Sequence, residues 1–192
     1  MSTSTEYQPF LESERLRLRP LTEADVDGDY ALWLNDPEIC AQNSHATFPM
    51  SQENLRSFVT QASQSKTQVT LAIELKDGNR HIGNISLQSI QWIARNAELA
   101  ILIGAKDCWG KGYGAEAATA IVEYGFQRLG LHRIHCGTYS GNAGMANVAA
   151  KLGFKEEGLR RQAAFKDGTF LDVIEYGLLA DEFGRRKTKE KL

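Results

Sequence analysis

The pattern of apolar and polar positions is clearest between residues 96 and 129. Residues 99–103 form a short apolar run of the kind that predicts a buried strand. Apolar residues then recur at helical spacing and predict one buried helix face, at Ala118, Ile121, Val122, Gly125, Phe126 and Leu129. A glycine-rich loop, residues 109–114 (WGKGYG), lies between them. The sequence therefore predicts a strand, a tight loop and a helix in succession.

Shorter elements follow from the same patterns in the rest of the chain. Alternation at residues 15–19 predicts a half-buried strand, and Thr22 with Asp25 predicts the capped start of a helix that runs to Asn35. The later segments are predicted as a helix at 52–64, strands at 69–73, 81–90 and 133–139, a helix at 143–151, and a hairpin at 155–165 and 170–179. Residues 1–183 are interpreted as one domain, and the charged residues 184–192 as a disordered tail.

Composition and charge narrow the classes of function. The chain has 192 residues, 42% of them hydrophobic, which suffices for one domain with a core. Its formal net charge of −2 gives no reason to expect nucleic acid or an anionic membrane as a partner. No apolar run reaches transmembrane length, and the first residues lack a secretory pattern. Cys40, Cys108 and Cys136 show no C-x-x-C spacing, so we expect a cytoplasmic protein without a metal site.

The glycine loop predicts an anion site. Glycines at Gly110, Gly112 and Gly114 allow the backbone to approach a phosphate closely. The start of the following helix adds positive potential, and Lys111 adds a full charge in the same loop. The sequence therefore predicts a cradle for a pyrophosphate.

Two common pyrophosphate-binding motifs fit this loop poorly. A Walker A loop needs Ser or Thr after its lysine, whereas Gly112 follows Lys111 here. The dinucleotide pattern G-x-G-x-x-A is matched on paper, but it requires an acidic residue about 20 positions further on. No Asp or Glu occurs between Glu123 and Glu156. This absence favours a ligand with an additional phosphate, because basic residues lie nearby in sequence at Arg128, Arg133, Lys151 and Lys155.

Together, the loop and a second segment resemble a known family. Residues 109–114 resemble the Q/R-x-x-G-x-G/A loop of the GNAT acyl-CoA N-acyltransferases, and the segment from Asn142 to Phe154 resembles that family's N-x(8)-K-x-G-F motif. The form IGAKDCWGKGYGAEA is most similar to the branch that contains the ribosomal-protein N-terminal acetyltransferases and the spermidine acetyltransferases. The resemblance covers residues 15–183. It implies an α+β fold: one twisted mixed sheet of about seven strands, splayed after the central strand and flanked by about four helices.

The resemblance also implies the chemistry and its binding residues. Acetyl-CoA is the expected co-substrate, and its acetyl group passes directly to a primary amine without a metal. The pantetheine arm is expected to pair with freed backbone at Leu102, Ile103 and Gly104, where an N–H would stabilise the oxyanion. The other coenzyme-binding residues carried over from the family's motifs are Trp109, Gly110, Lys111, Gly112, Tyr113, Gly114, Asn142 and Lys151.

Candidates for the base and for acceptor contacts are acidic residues and one histidine. Glu98 alternates onto the face opposite Leu99 and occupies a position that is often acidic in this branch. It is the first candidate base, acting directly or through water, and a structural hydrogen bond or salt bridge is the alternative. Asp172 and Glu175 face opposite ways on the last strand and are further candidates. His45 lies in the loop expected to cover the acceptor site.

One position departs from the family and leaves two function classes open. Many members place a tyrosine seven residues after the asparagine, where it protonates the departing thiolate; here that residue is Ala149. The first class is an N-acetyltransferase, and the second is a non-catalytic acyl-CoA-binding or regulatory module. Acceptors within the first class include an amino sugar or sugar nucleotide, a polyamine, an antibiotic and a protein N-terminus. A homodimer is left open.

The pKa of the acceptor amine bears on this choice, because only a neutral amine attacks a thioester. At pH 7, deprotonating a lysine-like amine of pKa about 10.4 costs roughly 4.6 kcal/mol, whereas an α-amine costs about 1 to 1.4 kcal/mol. Since the sequence shows no obvious acid–base pair, we expect an acceptor of low pKa or a base that acts through water.

Overall fold

The computed structural model describes residues 9–190, which form one mixed sheet with helices on both faces. The strands are β1 (Leu11–Glu12), β2 (Leu16–Pro20), β3 (Val69–Leu75), β4 (His81–Gln91), β5 (Asn96–Ile103), β6 (Arg133–Tyr139), β7 (Lys155–Lys166) and β8 (Thr169–Leu179). The helices are α1 (Glu23–Asp27), α2 (Tyr30–Asn35), α3 (Gln52–Gln64), α4 (Tyr113–Gln127), α5 (Ala143–Leu152) and α6 (Ala180–Glu190). Across this part of the chain, no helix has the length and apolar character needed to cross a membrane.

The strand order across the sheet is β1-β2-β3-β4-β5-β6-β8-β7. Every neighbouring pair is antiparallel except β5 and β6, which are parallel. The chain passes from β5 to β6 through α4, as a parallel connection requires. This arrangement confirms the predicted α+β class with a single mixed sheet.

The central parallel pair opens into a gap. β5 and β6 pair over three residue positions, and the last joins Glu98 to His135. β5 nevertheless continues to Ile103, paired with β4 throughout, and β6 continues to Tyr139, paired with β8. Within the described structure, residues 99–103 therefore have no strand partner on the β6 side. The predicted splay after the central strand is confirmed.

Helix α4 packs closely on one face of the sheet. Its Ile121 and Val122 side chains are fully buried. A Cβ at Gly125 would lie 2.8 Å from Leu87 Cδ1 and 3.0 Å from Ile134 Cδ1, so the missing side chain is what allows the helix to approach β4 and β6. Glycine inside a helix costs stability relative to alanine, and here that cost is offset by close packing.

A buried charged cluster joins α1 to the face of the sheet opposite α4. Arg19 on β2 donates two hydrogen bonds of 2.8 Å to Asp25 and a third, of 2.7 Å, to Glu74. His81 Nδ1 lies 3.2 Å from Asp25 Oδ1. Burial acts to raise the pKa of Asp25, but the hydrogen bonds from Arg19 and His81 outweigh it and hold that pKa well below its usual range.

The first predicted helix is two helices in the structure. Asp25 caps its start as predicted, accepting a hydrogen bond of 2.7 Å from the Thr22 amide. However, α1 ends at Asp27, and Gly28 has an extended backbone that interrupts the helix before Tyr30. The capping pattern marks a helix start but carries no information about this break. Strand β1, only two residues long, was also absent from the prediction, and it raises the strand number to eight among the described residues.

The predicted tail is helical over most of its length. Helix α6 runs through Glu190, so the boundary predicted after Phe183 falls inside a helix. Lys, Arg and Glu are good helix formers, and a charged segment continues a helix readily once one side is anchored. Phe183 provides that anchor, since it is buried and its ring lies 5.6 Å from that of Phe126. The remaining tail positions, 191 and 192, and residues 1–8 of the predicted domain lie outside the described residues.

Candidate active site

The glycine loop has the backbone geometry of an anion site. Gly110 and Gly112 have positive φ values of 71° and 82°, which other residues adopt at a cost of about 1–2 kcal/mol. Gly112 is the N-cap of α4, so the free amides of the first helical turn face the loop. A Cβ at Gly114 would lie 3.5 Å from Ile101 Cδ1 and 3.7 Å from Val148 Cγ2, which places this helix start between β5 and α5.

Basic side chains converge on this loop from distant parts of the chain. A Cβ at Gly112 would lie 3.6 Å from Arg15 Nη2 and 4.0 Å from Lys151 Nζ. Lys111 belongs to the loop itself. Lys151 was a sequence candidate, whereas Arg15 was missed. Cations around helix amides can hold two or more phosphate groups.

Arg15 is itself held in a fixed position. Its Nε donates to Glu116 Oε2 at 2.7 Å, its Nη1 donates to the Lys111 carbonyl at 3.1 Å, and its guanidinium carbon lies 4.4 Å from the centre of the Tyr113 ring. Glu116 also accepts from the Ser13 hydroxyl at 2.7 Å. Although burial acts in the other direction, these hydrogen bonds lower the pKa of Glu116. The N-terminal segment therefore braces the loop before any ligand arrives.

The end of β5 is fastened by its own backbone and by a tryptophan. Trp109 Nε1 donates to the Ile103 carbonyl at 2.8 Å, and the Gly104 amide donates to the Ile82 carbonyl at 2.9 Å. In antiparallel pairing, residues on one strand point alternately toward and away from the partner. The backbone of Leu102 therefore faces β4, and the backbones of Ile101 and Ile103 face the gap. The N–H of Gly104 and the carbonyl of Ile103 are thus already engaged within the chain, and the pantetheine contacts of residues 102–104 stay a prediction.

Trp33 covers this end of the strand from the other face. A Cβ at Gly104 would lie 2.0 Å from Trp33 Cδ2, so the indole rests directly on the glycine. Its ring centre is 4.9 Å from that of His81. Only glycine fits at position 104, and the contact joins α2 to the end of β5.

Glu98 and Glu175 lie on the same face of the sheet, opposite α4. Glu98 on β5 is opposite His135 on β6, at the last position where these two strands pair. Glu175 on β8 is opposite Gly137 on β6. Burial, together with the charges of Glu175 and Glu98, raises the pKa of the neighbouring Cys136 thiol to about 12. The structure thus brings two sequence candidates to the mouth of the gap.

The two carboxylates differ in their partners. Glu175 accepts a hydrogen bond of 2.6 Å from Arg160 Nε in an ion pair. Glu98 is half-buried, and its carboxylate has no hydrogen bond or ion pair with any other described residue. Of the two carboxylates, the one at Glu175 is therefore held in an ion pair by a described side chain, and the one at Glu98 is not.

Asp172 is occupied elsewhere. Its carboxylate accepts a hydrogen bond of 2.7 Å from the Gln162 amide, where the β7–β8 pairing shifts register and Gln162 has a φ of 51°. It lies three residues from Glu175 and so faces the other side of the strand. The structure gives Asp172 a role in holding this bulge.

The loop with His45 is tied down at two places. Lys166, at the tip of the β7–β8 hairpin, donates to the Asn43 carbonyl at 3.2 Å and to the His45 carbonyl at 3.0 Å. Asn142 Nδ2 donates to the Gln42 carbonyl at 3.4 Å. The His45 side chain is exposed, so the loop is positioned through its backbone.

Helix α5 contributes a cap and a buried alanine. Asn142 Oδ1 accepts a hydrogen bond of 3.0 Å from the Met145 amide, as expected of a capping residue. Ala149, at the position where a tyrosine is common in the family, is fully buried and offers no proton donor. As for metals, among the described residues no group of three His, Cys, Asp or Glu side chains is suited to hold a metal ion.

A sheet that splays at its parallel pair, with a braced glycine loop beside the gap, is the arrangement of an acyl-CoA-dependent acyltransferase of the α+β class. The chain belongs to the GNAT acetyltransferase family, and residues 15–155 match the acetyltransferase (GNAT) domain.

Named relatives agree with this assignment. The uncharacterised N-acetyltransferase YoaA of Bacillus subtilis is 30% identical over 89% of this chain and 97% of its own length. The spermidine N(1)-acetyltransferase of Vibrio cholerae is 30% identical over 55% of this chain and 60% of its own. The crystal structure of a Vibrio cholerae spermidine N-acetyltransferase, in complex with CoA and spermine, has a TM-score of 0.81 at 24% identity, covering 89% of this chain and 99% of that one. That likeness shows the fold.

Proposed function

We propose that this N-acetyltransferase passes the acetyl group of acetyl-CoA directly to a neutral primary amine of low pKa, with Glu98 as the base. The observation that carries the proposal is the position of Glu98. It lies at the last paired residue before the gap, on the face opposite α4, with no ion pair to any described residue.

The coenzyme occupies the other side of the gap in this proposal. The amides at the start of α4, with Arg15, Lys111 and Lys151, hold the phosphates, because these groups surround Gly112. The backbone of Ile101 and the N–H of Ile103 face the gap and pair with the pantetheine arm, while the Ile103 carbonyl stays with Trp109. Asn142 and Trp109 shape the site by capping α5 and by fixing the end of β5. The fold neighbour crystallised with CoA supports a coenzyme of this kind.

The reaction then needs one proton removed from the amine nitrogen, and the sulfur leaves without receiving one. The amine nitrogen forms a bond to the thioester carbon, and Glu98 takes the proton from nitrogen, directly or through water. When the carbon–sulfur bond breaks, the electron pair leaves with sulfur as a thiolate. A thiol has an ordinary pKa of about 8.5, so the thiolate is a tolerable leaving group even though Ala149 supplies no acid.

A low pKa in the acceptor fits this limited machinery. A single carboxylate is a weak base for an amine of pKa about 10.4. At neutral pH, deprotonating an α-amine costs about 3 kcal/mol less than deprotonating such an amine. Amines next to an electron-withdrawing group, as in a peptide N-terminus or an amino sugar, therefore suit the site better than an alkyl amine.

The buried Ala149 favours one other function, a non-catalytic acyl-CoA-binding module. The two functions separate in an assay of coenzyme A thiol release from acetyl-CoA with a peptide, glucosamine and spermidine, confirmed by the mass of the acetylated amine. We expect release with at least one acceptor of low pKa. The protein's own thiols add little background to this assay, because Cys40, Cys108 and Cys136 are all buried. If acetyl-CoA binds in calorimetry and no amine raises thiol release above the enzyme-free rate, the binding module replaces the enzyme.

A further inference from the structure

The side-chain nitrogen of Asn84 is buried without a partner. Asn84 is 7% exposed, and its Nδ2 has no hydrogen bond in the described structure, the single such buried side-chain atom found there. Leaving a buried polar group unpaired is costly, and native proteins rarely retain one without a use for it. An amide nitrogen donates two hydrogen bonds, so both of its donors are unpaired.

The orientation of this amide is set by a histidine. His81 Nε2 lies 2.8 Å from the Gly83 carbonyl and 3.1 Å from Asn84 Oδ1. A carbonyl only accepts, so Nε2 carries a proton and donates to both oxygens. Turning the Asn84 amide over would bring its NH₂ against this donor. His81 is in turn held by Asp25, with 3.2 Å between Nδ1 and Oδ1. The free NH₂ therefore points away from the histidine.

This amide lies on the face of the sheet that carries Glu98. Asn84 is paired with Leu102 across β4 and β5, and Ser86 is paired with Ala100. Side chains of paired residues share a face. Glu98 lies two residues before Ala100 on β5 and is therefore on that same face. Asn84 and Ser86 are buried, whereas Ala100 and Leu102 beside the gap are only half-buried. The free donor is thus one strand away from the gap where the amine must enter.

Resting on the function proposed above, we infer that the acceptor carries a hydrogen-bond-accepting oxygen close to its amino group and that Asn84 Nδ2 binds this oxygen. A protonated polyamine offers only N–H donors, and these would meet another donor at Asn84. A peptide N-terminus offers the carbonyl next to its α-amine, and an amino sugar offers a hydroxyl next to its amine. Asn84 is therefore a specificity-determining residue that favours oxygen-bearing amines over polyamines.

The experiment compares Asn84→Ala with the parent on acceptors with and without that oxygen. The acceptors are a short peptide amide and glucosamine in one group, and propylamine and spermidine in the other. We expect kcat/KM to fall about ten-fold or more for the oxygen-bearing group and less than two-fold for the other, with an unchanged KM for acetyl-CoA. If kcat/KM falls further for the peptide amide, the bound oxygen is a carbonyl. If it falls further for glucosamine, the bound oxygen is a hydroxyl.

A second variant keeps the test decisive if Asn84→Ala folds poorly. Asn84→Asp retains an oxygen for His81 and replaces the free donor by an acceptor, so we expect the preference to move from the peptide or sugar toward spermidine. Equal losses on all four acceptors in Asn84→Ala, or an unchanged preference in Asn84→Asp, would overturn the inference.

A readout without turnover separates this inference from the proposed function. The side-chain amide signal of Asn84 is followed by nitrogen–proton NMR in the CoA-saturated protein, and it is assigned by its loss in Asn84→Asp. We expect this signal to shift with the peptide amide or glucosamine and to stay in place with propylamine. An amide that is bonded to a trapped water and responds to no acceptor contradicts the inference, even if acetylation is observed. A shift without any acetylation would instead contradict the proposed function alone.

Discussion

At the scale of single residues, the gap is bordered by two carboxylates in different states. Arg160 holds Glu175 in an ion pair of 2.6 Å, whereas the Glu98 carboxylate has no cation beside it among the described side chains. The proposed base is the carboxylate that no ion pair holds. The first substitution to make is therefore at Glu98.

Replacing Glu98 by glutamine removes the base and preserves the size of the side chain. We expect Glu98→Gln to lower kcat by about 10²-fold, a typical contribution of general base catalysis, with little change in the KM for acetyl-CoA. Initial rates across pH 6 to 9 measure this. Glu53→Gln, at an exposed position on α3, is the matched control and should keep the parent rate.

The outcome that contradicts this assignment is equally specific. If Glu98→Gln retains the parent kcat, the base is a different group. The proton then leaves through Glu175 or water, and Glu175→Gln becomes the next variant to measure.

Asp25 tests the buried charged cluster. Its pKa is lower in the folded than in the unfolded chain, so its charge stabilises the fold above pH of about 4 and this contribution is lost as the pH falls further. We expect Asp25→Asn to reduce the free energy of unfolding by about 2–4 kcal/mol at pH 7. Urea unfolding at pH 7, 5 and 3.5 should show the difference from the parent shrinking at the lowest pH.

The exposed neighbour Asp27 provides the control for that measurement. Asp27 pairs with Arg56 at the surface, and surface pairs contribute about 0–1 kcal/mol. Asp27→Asn should therefore have almost no effect. A difference between Asp25→Asn and the parent that does not change with pH would show that the loss is steric.

Residues that act through distant partners could not be predicted from the sequence. The face of the strand on which Glu98 lies was predicted, because strand alternation is a local property. Arg15 was missed because its role depends on Glu116, 101 positions away, and no spacing rule connects them. Asn84 was missed because a polar residue inside a strand gives no sign of whether its partner is absent.

At the scale of elements, the strand, glycine loop and helix from residue 96 to 127 agree closely with the sequence prediction. Glycine spacing and apolar periodicity are local signals, and both survive in the fold. The break at Gly28 was not predicted, because the capping pattern marks only where a helix starts. The helical course of α6 was not predicted, because it depends on the packing of Phe183 near Phe126. Local propensity alone does not report such contacts.

The loop itself can be tested with a pair of glycine variants. Gly112→Asp introduces a negative side chain whose Cβ would lie 3.6 Å from Arg15 Nη2 and 4.0 Å from Lys151 Nζ, where it would compete with a phosphate. We expect the Kd for acetyl-CoA to rise at least ten-fold in calorimetry. Gly168→Asp, with a similar φ of 80° and open space around it, carries the same backbone strain at the β7–β8 turn and should bind normally.

Equal acetyl-CoA affinity in the two glycine variants would show that the loop is not the phosphate site. Binding of NADH by the parent at comparable strength would instead restore the dinucleotide interpretation of G-x-G-x-x-A.

At the scale of the whole molecule, the gap leaves one side of residues 99–103 without a strand partner in the described fold. A ligand that pairs with this backbone binds the folded chain and not the unfolded one. We expect acetyl-CoA at 100 times its Kd to add about 2.7 kcal/mol of stability, or a Tm increase of about 5–10 °C. Thermal unfolding with and without the ligand measures this. Gly112→Asp should lose about half of the increase or more at the same concentration. A parent Tm that acetyl-CoA leaves unchanged would argue against a coenzyme in the gap.

The outermost strand has a consequence for how molecules meet. β7 is twelve residues long and largely exposed, and it presents Leu159 and Phe165 to solvent at 50% and 63% exposure. A long edge of this kind invites the addition of strands from other chains and aggregation. Two register shifts bend it, and basic side chains at Lys155, Arg160, Arg161 and Lys166 are spaced along it. The bulge that Asp172 holds thus also protects the molecule from polymerising edge to edge.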